Sequence, residues 1–160
     1  MDTAGDSTSS RRVPHAVTRW ARAVIAGSHS SVDPRTLTLW GRTIGVSTSW
    51  LRTWCYCAGA KPSNSLDLVR VMRLAADSER TGAIDLLNVF DVADLRTIRA
   101  LLHRGDVKEM FATGSAIRTV EFVRTQKYVP SPSLVAILLQ EIDRPSTESS
   151  LDKGIRQVAV

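Results

Sequence analysis

Apolar side chains recur every three or four positions from residue 11 to residue 143, and no run alternates in the manner of a half-buried strand. That periodicity admits one fold class, an all-α domain, because a period of 3.6 cannot line one face of a sheet. Val17, Trp20, Ala21, Val24 and Ile25 form one stripe, so the first helix is expected from Pro14 to Ala26, with Gly27 as a left-handed stop. Asp33-Pro34 reads as the start of a second helix carrying Leu37, Trp40 and Ile44 and ending at Gly45. Ser47 is an N-cap for a third, with Trp50, Leu51 and Trp54. Gly59 and Pro62 precede a fourth over 64–76, where Leu68, Val71, Met72 and Ala75 face inward. Further helices are expected over 85–90, 92–104 (Leu95, Ile98, Leu101 and Leu102 inward), 115–127 (Ile117, Val120, Val123) and 133–142. The last is apolar on most sides and is expected to be buried.

Four segments follow: a disordered leader over 1–10, a region over 11–76, a C-terminal helical region over 77–143 and a flexible tail over 144–160. The leader is acidic and lacks an apolar stretch, so it does not read as a secretory signal. No apolar run is long enough to span a bilayer. Two cysteines, Cys55 and Cys57, make no disulfide framework, and a cytoplasmic setting is expected. Being two apart on a helix they diverge, which argues against a shared metal ion. His15, His29 and His103 are scattered and read as surface residues. No phosphate loop, acid pair or nucleophile motif is present, so neither a cofactor nor an enzymatic role is expected.

Charge separates the two halves. Residues 11–75 hold ten Lys and Arg against Asp33 and Asp67, a net of +8 within a whole-chain +5. Nine of the ten are arginines, whose forked donors suit phosphate and guanine. All four tryptophans, Trp20, Trp40, Trp50 and Trp54, lie there too. Three sit on apolar stripes and read as core, while Trp50 suits either the core or an exposed wedge. Such an excess points to a polyanionic partner.

The stretch from Leu37 to Trp54 gives that partner a place to bind. Gly45 stands between two short amphipathic helices, Gly41 four residues before it permits a close crossing, and Trp40, Ile44, Val46, Leu51 and Trp54 fill the wedge. This is the spacing of a helix-turn-helix. Left outward on the third helix are Ser47, Thr48, Ser49, Arg52, Thr53 and Tyr56, with no carboxylate among them, as a surface entering a major groove requires.

From Thr36 to Trp54, then Gly59, Pro62 and the run from Leu68 to Arg73-Leu74, the chain resembles the AraC-type helix-turn-helix regulators, over about residues 33–76. The resemblance implies a bacterial transcription factor acting on double-stranded DNA, in which Ser49, Trp50, Arg52 and Thr53 occupy base-reading positions. That family carries two such units and this chain only one, so a homodimer or a protein partner, held by the C-terminal helices, is expected. No room remains for a small-molecule effector domain. Arg35, Arg42, Lys61, Arg70 and Arg73 are candidates for backbone phosphates. Arg70 and Arg73 share one helix face, suited equally to phosphate or solvent, and Arg11 and Arg12 read as either a minor-groove arm or a solvated flank. The alternative function is a non-catalytic adaptor in which the same helices serve only to pack and to bind protein.

Overall fold

Helix α1 (Ser7–Ser28) is the element around which the others are arranged. In the computed structural model, which describes residues 7–91 and 94–144 and side chains from His15 onward, α1 contacts α2 (Leu37–Ile44), α3 (Thr48–Ala58), α4 (Pro62–Thr81) and α9 (Pro132–Ile142). The second organising helix is α4, which also meets α5 (Leu86–Val89), α6 (Leu95–Arg104) and α8 (Thr119–Thr125), while α7 (Lys108–Ala112) leans on α6. The fold is all-α. Among the described residues there is no strand, only an isolated bridge between Ala83 and Ser115.

The core begins where the tryptophans sit. Trp20 and Trp40 are fully buried, and each still satisfies its indole N–H: Trp20 donates to Ser65 Oγ at 3.1 Å, Trp40 to the Ala23 carbonyl at 3.0 Å. Leu68, Val69, Val71, Met72, Leu74 and Ala75 of α4 close around them. The same core continues into the second half through Phe90, Ile98, Leu101, Phe122, Val123 and Leu138. Two forked or single ion pairs tie the halves at the surface: Arg104 to Asp67 at 2.9 Å and Arg22 to Glu141 at 3.2 Å. Arg104–Asp67 is exposed and Arg22–Glu141 is part-buried; an exposed pair contributes about 0–1 kcal/mol, so apolar packing carries most of the association.

Several boundaries differ from the sequence expectation, each for an identifiable reason. Residues 7–10 belong to α1 rather than to a leader; residues 1–6 lie outside the described set, as do 145–160 of the expected tail. Arg11 and Arg12 fall within α1, and their side chains lie outside that set too. Gly27 does not stop the helix. It lies inside α1 because a Cβ there would stand 2.6 Å from Trp40 Nε1 and 2.7 Å from Val69 Cγ1. Asp33 does not cap α2, whose first turn is capped by the Thr36 hydroxyl accepting from Leu39 N–H at 3.1 Å. Helix α4 begins at Pro62 and runs unbroken to Thr81, so the division drawn between residues 76 and 77 falls inside a helix. Leu95 is 42% exposed rather than inward, since α6 starts only there, after its Asp94 cap. The segment 115–127 is helical only from Thr119, and α9 buries Leu134 and Leu138 while Val135, Ile137 and Leu139 are half-buried.

Candidate nucleic-acid interface

The local sequence dictates how α3 is presented. Gly45 ends α2 with φ 75° and ψ 30°, a left-handed conformation that a Cβ would strain. Val46 N–H then donates to the Gly41 carbonyl at 2.8 Å, and Ser47 Oγ accepts from Trp50 N–H at 3.2 Å, opening α3. Gly41 is equally constrained: a Cβ would lie 2.4 Å from the Val46 carbonyl oxygen and 3.3 Å from Leu51 Cδ1. Because the first neighbour is backbone, Gly41→Ala cannot be relieved by a rotamer change. A net loss of about 1–3 kcal/mol is expected from urea unfolding, despite alanine's better helix propensity.

Leu51, Trp54 and Cys55 bury the inner side of α3. The outer side is open. Ser47, Ser49, Arg52 and Thr53 are exposed and Thr48 is half-buried. Trp50 is 44% exposed, tilted against Trp54 with ring centroids 6.3 Å apart, and Tyr56 is 70% exposed. Arg19 of α1 lies over the Trp54 ring at 5.9 Å, at the margin of this face.

The Ser47 cap was expected from the sequence, but the internal bonds of the Thr48 and Thr53 hydroxyls were not. Ser47 serves as the cap, Thr53 Oγ1–H donates back to the Ser49 carbonyl at 3.0 Å, and Thr48 Oγ1 meets Thr38 Oγ1 at 3.4 Å. The signal was available, since threonine four residues after a helical carbonyl commonly bonds back to it. Ser49, Arg52 and Tyr56 keep their donors free, as does Ser47, whose oxygen only accepts.

The basic residues separate into two groups. Arg42, Arg52 and Lys61 are exposed, and among the described residues their side chains have no hydrogen-bond or ion-pair partner. Arg35 is half-exposed and turned to Asp91, donating to its carbonyl at 3.2 Å with its carboxylate 3.6 Å away. Arg70 and Arg73 are buried and engaged internally. Arg70 forks onto Asp33 at 2.9 and 3.0 Å, while Arg73 donates to the Ser30 carbonyl at 2.8 Å and to the Val89 carbonyl. Burial lowers the Arg73 pKa from its ordinary value, opposed by the nearby Asp33 and Asp77 carboxylates. The shared face of Arg70 and Arg73 is therefore turned to the interior, neither to solvent nor to a ligand. With Asp33 paired to Arg70 and Asp67 to Arg104, residues 34–66 contribute no carboxylate beside α3.

The two cysteines contrast in the same way. Cys55 is buried, and desolvation raises its thiol pKa against the lowering effect of a Ser65 hydrogen bond; Cys57 is exposed. A maleimide should therefore modify Cys57 of the folded chain and reach Cys55 only in denaturant, as mass spectrometry of the labelled peptides would report.

Among the described residues no group of three His, Cys, Asp or Glu could hold a metal ion, and no helix is long and apolar enough to cross a membrane. No protein-family model, curated protein or solved structure matches this chain.

Proposed function

We propose that this protein is a sequence-specific DNA-binding regulator whose helix α3 enters a major groove. The observation that carries the reading is the exposed, carboxylate-free face of α3, set off by the Gly45 turn and flanked by Arg42, Arg52 and Lys61 with no internal partners. A groove-binding helix needs outward hydrogen-bonding side chains over a buried apolar base, and cations nearby to meet phosphate. Arg52 and Ser49 keep free donors for base edges. Arg42 and Lys61, with Arg35 if it is released from Asp91, are the backbone contacts; Arg70 and Arg73 are left out because both are buried and engaged with Asp33 and with the Ser30 and Val89 carbonyls. In this reading α2, its turn and α3 form a single AraC-like helix-turn-helix, the setting is a bacterial cytoplasm, and a second copy or a protein partner docks on the C-terminal helices.

The test is selection of bound sequences from a random duplex pool, followed by titration at two salt concentrations. Three phosphate contacts imply about a forty-fold loss of affinity between about 50 and 200 mM salt. Arg52→Ala should cost about 1–3 kcal/mol on the selected site and relax preference at one base pair. Unchanged selectivity in that variant removes Arg52 from the reading role.

One observation favours a second reading, the protein-binding adaptor: Trp50 and Tyr56 are exposed aromatics of the kind enriched at protein contacts. The salt titration separates the two, since an adaptor shows little affinity for duplex at either concentration.

A further inference from the structure

The committed hydroxyls of α3 narrow what kind of base edge this face suits. Its outward residues include no Asn or Gln for the paired contact that marks adenine, and no Asp or Glu to accept from the cytosine amino group. Two of its hydroxyls give their protons within the protein, Thr48 to Thr38 and Thr53 to the Ser49 carbonyl, while the Ser47 oxygen accepts from Trp50 N–H. With its hydroxyl proton given to Ser49, Thr53 offers an incoming ligand its γ-methyl group beside an oxygen that can only accept. Trp50 precedes it by three residues, so the two side chains are neighbours on one helix face, and the Trp50 ring is open to solvent. The apolar feature of a major groove is the 5-methyl group of thymine.

Resting on the DNA-binding reading above, we propose that the Thr53 methyl group and the Trp50 ring recognise the 5-methyl group of thymine, beside a guanine contacted by Arg52. The preferred site then contains guanine and thymine within one turn of α3, and the protein distinguishes thymine from uracil although both pair with adenine. Removing one thymine methyl uncovers an apolar contact equivalent to a buried methylene, which corresponds to about a three- to five-fold loss of affinity.

The experiment uses the full chain and the duplex it selects from a random pool. Each thymine is replaced singly by deoxyuridine, and affinities are measured by fluorescence anisotropy. A loss of about three- to five-fold at one or two positions is expected. Thr53→Ser keeps the hydroxyl that bonds to Ser49 and deletes only the methyl, so it should bind the thymine and deoxyuridine duplexes equally at one of those positions. Trp50→Ala, checked for native helicity by circular dichroism, should do the same at a neighbouring one. Selective binding with no deoxyuridine effect overturns this inference and leaves DNA binding intact. A deoxyuridine effect undiminished in both variants overturns it as well, by locating the methyl contact elsewhere. Failure to select any duplex overturns the reading on which it rests.

Discussion

Asp33→Ala should destabilise the protein by about 3–5 kcal/mol, because it removes one partner of a buried ion pair. Asp33 is buried, and its two carboxylate oxygens receive three donors: Arg70 Nε at 2.9 Å, Arg70 Nη2 at 3.0 Å and Asp91 N–H at 3.1 Å. Truncation leaves the Arg70 guanidinium desolvated, with the Phe90 ring 5.6 Å away as partial compensation. The Asp91 N–H loses its acceptor at the same time. The penalty arises from orphaned donors more than from a lost attraction, which fixes a control. Replacing both partners with apolar residues, Asp33→Leu with Arg70→Met, should recover most of the loss, because the pair as a whole offsets its own desolvation only approximately. Urea unfolding of the single and double variants decides the matter: a single truncation costing under 1 kcal/mol would mean that the pair is hydrated in solution.

That pair also marks the limit of what one sequence discloses. The turn between α2 and α3 was legible because its determinants are local: Gly45 for a left-handed residue, Gly41 for a close approach four positions earlier, Ser47 for the cap. The burial of Trp20, Trp40 and Trp54 followed from periodicity for the same reason. Asp33 was misassigned because Asp-Pro is a common helix opening, and nothing nearby announces that its partner lies 37 residues away on α4. Arg70 and Arg73 were counted among surface cations on the same ground: charge composition records a guanidinium but not whether it is spoken for. Gly27 is instructive in another way. A glycine near the end of a helix ordinarily signals a stop, whereas here its lack of a side chain admits a tryptophan from the next helix. For α3, the outward polar set was legible, whereas the bond of Thr48 to Thr38 depends on how α2 and α3 pack and is not written in the local sequence.

The contact between Gly27 and Trp40 yields the second large prediction. Trp40 is fully buried between α1 and α4, with its indole N–H on the Ala23 carbonyl. Trp40→Ala removes a large side chain from a packed site and should cost about 3–5 kcal/mol, a substantial part of the stability of a domain this size. Gly27→Ala alone should also destabilise, by about 1–3 kcal/mol, since the new methyl would stand within 2.9 Å of two indole atoms and 2.7 Å from Val69 Cγ1. The two losses should not add. Once the indole is gone the alanine methyl occupies part of the vacated volume, and Val69 has room to turn away. The double variant should therefore be more stable than the sum of the singles implies, with a coupling of about 0.5–3 kcal/mol. Additive losses would mean that α1 and α2 separate when Trp40 is truncated, leaving no shared site for the two side chains to compete over.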